Sequence, residues 1–487
     1  MTPEQSRRAF RQRALVHELG RVVGHDHVST ERTALQEQAA DWSWTARALL
    51  HHDLPLPTAD VLAAPANAAQ VARVLQIAYD HGAPVVPRGG GSGTQGGTFA
   101  PYGGIALDLR RLATIESIDT DSLTVTAGAG IDGAVLEEAV NEKGLTLAHY
   151  PGSAHRGATL GGYLAARGSG VASTKYGKAE DMALSVEAAL PPGRLVRTPA
   201  TPNHAAGPGL LPLLIGSEGT LGVITEATMR LDPLPEERRF LTFAFPTVDH
   251  GLRAAREVMV ARWRPAVMRL YDPAGAAHLG GVVDLGVDGV VLMVVCDGDR
   301  RLVELESEAI GEVVRAAGGT DLGPDPARTW WEDREAPHTV GNAPRPPMIY
   351  GTTDACCTFD RLPELYRRKK EAVERDLGAR YTAHFSHWYP WGAMIYDRFY
   401  VDEPPADPAE ALALHDRIWD TLTAINLDAG AVLNDHHGVG LKLGRFMRDQ
   451  YGEGFEVLAG IRRSIDPRGL MNPGKLGFPA PDLAEGV

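Results

Sequence analysis

Apolar and polar positions divide the chain into stretches of different period. Up to about residue 55 the pattern is polar, with a thin apolar stripe at Leu15, Leu19 and Val22 spaced as one face of a helix. This N-terminal segment, residues 1–56, is expected to be a helical appendage. From Pro57 helix and strand signals alternate. Val71, Val74, Leu75 and Ala78 recur at i, i+3, i+4 and i+7; Asn67 can cap that helix and His81-Gly82 can end it. Short strand-like runs follow at 84–87, 105–109 and 123–127, then a helix over 131–142 closed by Gly144, then strands over 185–190 and 221–231. These elements predict an α+β unit over residues 57–235, with the exit Asp232-Pro-Leu-Pro235 as its boundary. Residues 236–430 read as a second α+β domain, in which strand-like runs (240–245, 290–295) alternate with charged helices (301–317, 361–377). Residues 431–487 return to glycine-rich loops.

The first unit interrupts its elements with four glycine-dense loops. They are Pro87-Arg88-Gly89-Gly90-Gly91-Ser92-Gly93-Thr94, the stretch from Pro151-Gly-Ser to Leu160-Gly-Gly162, Arg167-Gly-Ser-Gly170, and Gly216-Ser-Glu-Gly-Thr-Leu-Gly-Val-Ile224. Glycines without Cβ let several backbone N–H groups converge on one anion and let the chain approach a pyrophosphate closely. The first loop alone could equally be a tight strand-to-loop turn. Four such loops in one unit predict a long phosphorylated cofactor. Their order is not G-x-G-x-x-G at a strand-to-helix turn, so the fold predicted is not the dinucleotide-binding one.

Two clusters carry titratable and aromatic side chains in a chain with 7% aromatics: His384-Phe-Ser-His-Trp-Tyr-Pro-Trp-Gly-Ala-Met-Ile-Tyr396 and Asn434-Asp-His-His-Gly-Val-Gly440. Tyr and His are natural proton carriers. The bland alternatives are a core aromatic on a strand for Tyr396 and loop packing for His436 and His437.

Charge and composition narrow the classes. A net charge of -14 without a basic stripe excludes a nucleic-acid surface from the expectation. Three cysteines, two of them adjacent, give no disulfide framework or metal knot. The polar N-terminus, the missing apolar span and a C-terminus without a peroxisomal tripeptide predict a soluble cytoplasmic protein acting on a small molecule.

The loops, in this order, resemble the FAD-binding domain of the vanillyl-alcohol oxidase and p-cresol methylhydroxylase superfamily. The resemblance implies a two-subdomain FAD-binding domain of p-cresol-methylhydroxylase type with an α+β cap. It implies that Pro87, Arg88, Gly89, Gly90, Gly91, Ser92, Gly93 and Thr94 hold the pyrophosphate. Pro151, Gly152, Ser153, Ala158, Thr159 and Gly162 run past the isoalloxazine ring. Arg167, Ser169, Glu218, Gly219, Gly222, Val223 and Ile224 complete the flavin contacts. Members that tether flavin often use a histidine in the first loop; Ser92 stands there, so non-covalent FAD is expected, with His155 the nearest alternative for a tether. A homodimer is the common assembly of such proteins.

Within the superfamily, the run from Pro265 to Asp272, the Trp388–Tyr396 stretch and Asp435-His-His-Gly-Val-Gly-Leu441 resemble the alkylglycerone-phosphate synthase branch. This implies Tyr396 as acid/base, with His437 and His436 beside it, Arg269 and Arg345 as substrate-binding residues, and an acyl-to-alkoxy exchange through flavin N5. The metal-type histidine of the hydroxy-acid dehydrogenase relatives is replaced by Tyr396, so no metal is expected. Two departures stand out: Asn203 or His204 occupies the place of a synthase arginine, and the Asp that pairs with the position of Arg345 is missing. The competing expectation is an FAD oxidoreductase of a 2-hydroxy acid, alcohol or phenol; a flavin-binding protein without catalysis is the third.

Overall fold

The computed structural model describes residues 3–280, 283–334 and 344–481. Two α+β units face each other. The first holds a four-stranded sheet, ordered Val28–Ser29, Val61–Ala63, Ile105–Asp108, Val85–Arg88, in which the last three strands are parallel. It also holds a five-stranded antiparallel sheet ordered Ile115–Asp119, Thr124–Gly128, Val223–Arg230, Ala183–Leu190, Arg194–Arg197. The helix Ala68–Asp80 begins where the Asn67 side chain accepts the Gln70 N–H at 3.0 Å and stops before Gly82, whose φ of 59° is the left-handed turn a Cβ disfavours.

The N-terminal segment is not an appendage. Leu15, Leu19 and Val23 are buried in one cluster with Val71, Leu75 and Ile105, and Val28–Ser29 adds a strand to the sheet. The expected stripe does form one helix face, but the helix that receives it carries Val71 and Leu75, far along the chain, and no local pattern encodes that pairing. Residues 150–180, read as loop, contain the short helices Leu160–Ala165, Ser173–Tyr176 and Ala179–Met182.

The second unit is built on a seven-stranded antiparallel sheet ordered Thr320–Asp321, Glu237–Phe245, Val290–Gly298, Val267–Tyr271, Arg380–Tyr389, Gly392–Val401, Ile349–Thr358. Side chains alternate between its faces. Met268, Leu270, Phe385, Ile395 and Phe399 face a core closed by the helices Val248–Val260, Arg300–Ala316, Leu362–Glu371 and Pro408–Asp428. The other face looks onto the glycine-rich loops. The chain then returns: Val85 N–H donates to Leu470 O at 2.9 Å, and Asn472 N–H donates to Val85 O at 2.8 Å. Cys296, Cys356 and Cys357 remain free thiols. No helix among the described residues is long and apolar enough to cross a membrane. Residues 482–487, the C-terminal stretch in which no peroxisomal tripeptide is read, lie outside the described residues.

Candidate active site

Between the two units lies a cavity of about 490 Å³, within the range of cofactor and ligand sites. One wall is backbone. Residues 87–94 line it throughout, joined by Pro151, Gly152, Ser153, Thr159, Gly162, Ser169, Glu218, Gly219, Gly222, Val223 and Ile224. The loops are packed too closely for side chains: a Cβ on Gly90 would lie 1.8 Å from Gly157 O, and one on Gly89 would lie 2.2 Å from Thr159 Oγ1. Thr159 also caps the helix Leu160–Ala165, accepting the Gly162 N–H at 3.3 Å, so that helix starts at the cavity. Glu218, with φ of 48°, takes the Gly440 N–H at 2.8 Å and that of Val439, while Asn472 Nδ2 donates to Glu218 O at 2.6 Å. The C-terminal return is thereby tied to the fourth loop. A glycine cradle in which a Cβ has no room, opening onto a cavity of this size, fits a dinucleotide with its pyrophosphate held by backbone N–H groups.

Two residues expected in this wall do not line it. Ala158 is buried behind it, its carbonyl accepting the Gly133 N–H at 2.9 Å. Arg167 turns away, donating to Pro212 O at 3.3 Å and standing 3.5 Å from Glu180. His155 does not line the cavity either.

The opposite wall is the open face of the cap sheet, and it is made of side chains. Paired strands put Asp354, Tyr396, His384 and Tyr271 in one row, and Thr352, Arg398 and Thr382 in the next; Tyr350 and Tyr400 are paired beyond them. His436 and His437 close the row from the loop after the helix Pro408–Asp428. Tyr396 is stacked on His384 at 4.6 Å, with His437 at 5.6 Å and His436 at 5.9 Å between ring centres. The structure thus brings the two sequence clusters together around one phenol.

Asp354 organises the group. It is fully buried, and its carboxylate accepts His437 Nδ1 at 2.7 Å, the His436 N–H at 2.8 Å and the Asp435 N–H at 3.0 Å. Burial pushes this carboxyl up, but the imidazoles of His437 and His436 more than offset it and hold it below its usual range. Burial pushes His437 down, yet Asp354 pushes it further up, to about 9, so it is an imidazolium at neutral pH. Tyr396 follows: burial raises the phenol, while His437 and Arg398 lower it below the ordinary tyrosine value. His436 is pushed down by burial and by the charge on His437. His384 accepts from Arg269 Nη2 at 2.6 Å and is held neutral by burial and that cation. Asp354, His436 and His437 are spaced to hold a cation. Both Asp354 oxygens already accept N–H donors, from His437 Nδ1 and from the backbone of Asp435 and His436.

His387 sits at a bulge in its strand with φ of 51°, a conformation non-glycine residues adopt at constrained sites. Its Nδ1 meets Ser169 Oγ at 3.0 Å and Ser173 Oγ across the domain boundary.

Arg269 lines the cavity as expected, but Arg345 does not. It is exposed, just before the turn that leads into the strand Ile349–Thr358. Lining residues that sequence reasoning missed include Trp42, Arg47, Arg156 and Arg398, with Asp354 behind them; His384 and His387 were read only as members of a cluster, without a role. Arg398 had a signal: it is two residues from Tyr396 on a strand and must share its face. Asp354 had none, because its position depends on pairing with residues 42 positions later.

Comparison with known proteins accords with this geometry. Residues 59–199 match the FAD binding domain family, and residues 234–476 match the C-terminal domain of FAD linked oxidases. The uncharacterised FAD-linked oxidoreductase YgcU of Escherichia coli strain K12 is 30% identical over 483 residues, 95% of this chain and 98% of that protein. An alkyldihydroxyacetonephosphate synthase of Dictyostelium discoideum is 27% identical over 452 residues, 86% of this chain and 73% of that protein. The structure of p-cresol methylhydroxylase with substrate bound shares the fold with a TM-score of 0.77 at 17% identity, covering 96% of this chain and 97% of that one. The chain therefore belongs to the FAD-linked oxidase family, and the cofactor for which its glycine wall is built is FAD.

Proposed function

We propose that this protein is an FAD-dependent enzyme of the alkylglycerone-phosphate-synthase type, exchanging an acyloxy group for an alkoxy group on a glycerone-phosphate-like substrate. The observation that carries this is the phenol of Tyr396 set beside the imidazolium of His437, which Asp354 holds charged. FAD, when bound, supplies the electron-accepting centre. Tyr396 is placed to take a proton from the carbon that bears the ester and to return one after the alcohol oxygen has replaced the acyloxy group, which leaves as a carboxylic acid. His437 stabilises the deprotonated phenol, and Asp354 fixes the ring of His437 through Nδ1. The lining of the first loop by Ser92 supports non-covalent FAD.

A second reading, oxidation of a 2-hydroxy acid, is favoured by one observation. Arg345, the expected phosphate partner, lies outside the cavity, and the arginines that line it suit a carboxylate as well as a phosphate. Anaerobic mixing decides between them. Exchange of labelled fatty alcohol into acyl-dihydroxyacetone phosphate, with the flavin band unchanged at the end, is the expected result. Lasting bleaching by a 2-hydroxy acid, with no exchange, would replace the first reading by the second.

A further inference from the structure

The substrate half of the cavity is cationic, and part of that charge comes from a segment outside both family matches. Residues 41–47 are strapped between the two units. Trp42 N–H donates to Gly93 O at 2.8 Å, and Trp44 Nε1 donates to Met348 O at 2.9 Å. Trp42 then serves as a platform, with the guanidinium of Arg156 3.9 Å from its ring centre and that of Arg47 at 5.5 Å. Arg47 donates to the hydroxyl of Tyr350, which is cross-strand partner to Tyr400. Arg398 lies two residues from Tyr396, its guanidinium 5.4 Å from the phenol ring, with Thr352 and Thr382 directly opposite on the flanking strands. Arg156 is within electrostatic reach of both Arg47 and Arg398.

Like charges gathered in a half-buried site repel one another, and a cation removed from water is costly without a counter-charge. Among the described residues, no carboxylate forms an ion pair with Arg47 or Arg398. Glu218 is the one carboxylate among the described lining residues, and its oxygens are spent on backbone N–H groups of residues 439 and 440. Arg398 meets the hydroxyls of Tyr396 and Tyr400, and Arg47 that of Tyr350, so the partners of these guanidiniums are phenols, and a ligand anion would complete the set. We propose that Arg398 and Arg47, with Arg156, form an oxyanion subsite that receives the phosphate or carboxylate of the substrate, and that residues 42–47 are a specificity element. This rests on the reading of Tyr396 as the reacting side of the cavity. Guanidinium groups suit the role because their N–H fork matches the oxygens of either anion. Thr352 and Thr382 can add hydroxyl donors from the same row.

The test is calorimetric titration of the FAD-loaded protein with inorganic phosphate and, separately, with acetate. Binding of at least one probe is expected, weakened roughly tenfold or more in Arg47→Met and again in Arg398→Met, the loss expected for one charge-assisted contact. Arg301→Met, 90% exposed on a cap helix, should bind as wild type. Tighter phosphate assigns the subsite to a phosphorylated substrate, and tighter acetate to a carboxylate. If Arg398→Met loses FAD, Arg47→Met carries the test, since Arg47 belongs to none of the flavin loops. No heat with either probe, or unchanged affinity in a flavin-loaded Arg47→Met, overturns the proposal. Turnover plays no part in this readout. Anion binding without exchange or oxidation would remove the proposed reaction and leave the subsite.

Discussion

The two walls of the cavity solve different problems with different materials. The cofactor wall is backbone: Gly89, Gly90 and Gly219 present main chain because no side chain fits between their loops and the facing residues. The opposite wall is side chain: Tyr396, Arg398, His384 and Arg269 project from strands whose other face packs into a core that is apolar apart from the buried Lys369–Asp397 pair. A backbone wall can bind any member of a cofactor class by shape and N–H direction, and it tolerates little change. A side-chain wall can be rewritten one residue at a time without disturbing the sheet beneath it. One family can therefore keep its cofactor and vary its chemistry, and the reaction must be read from the cap.

Substitutions in the two walls should fail differently. Gly90→Ala should have the largest effect. Its Cβ collides with backbone that cannot yield as a side chain can, so the purified variant is expected to carry little or no FAD, read from its absorption spectrum, and to have no turnover. A variant with full FAD content would show that the loops are looser than the contacts indicate. Tyr396→Phe comes next. It removes one hydroxyl from the other wall, so FAD content and melting temperature should stay near wild type while kcat falls by about 10²- to 10⁴-fold, the range for loss of a proton-transfer group. Normal turnover in that variant would remove Tyr396 from the chemistry.

The same contrast explains what was legible in the sequence. A glycine run states its requirement locally, because the conformation it needs is written in consecutive residues; the loops at 87–94, 151–162 and 216–224 could be found without knowing what they face. The Tyr396 row is legible only in fragments. Tyr396 and the His436-His437 pair were visible as clusters, but Asp354 and His384 reach Tyr396 through strand pairing, which no local pattern encodes. Alternation was obscured as well: one face of the strand Gly392–Val401 is apolar core and the other is a buried cavity, so both read as inward. The misplacement of Arg345 and the omission of Arg398 share that origin. An arginine in a proline-rich turn is conspicuous in sequence, whereas an arginine inside a strand looks like surface until the opposite layer is known. The N-terminal segment was misjudged for a related reason, since the surfaces that receive Leu15 and Trp42 come from elements far along the chain.

The smallest expected effect is the one that separates position from charge within the substrate wall. Asp354→Asn keeps the shape and an oxygen for the backbone N–H groups but removes the carboxylate that raises His437 to about 9. His437 has a folded value above its unfolded one near ~6.5, so its charged form stabilises the fold fully below that pH, and the contribution disappears as pH rises through about 9. In the wild type, kcat/KM should therefore hold to about pH 9 and fall above it as the imidazolium that lowers the phenol is lost. In Asp354→Asn burial acts on His437 with little to oppose it, so the same fall should begin below neutrality, and the stability contributed by protonated His437 should be lost over the same lower range. An unshifted alkaline limb would mean that Asp354 acts only by holding the loop of His436 and His437 in place, and that the limb reports a group other than His437.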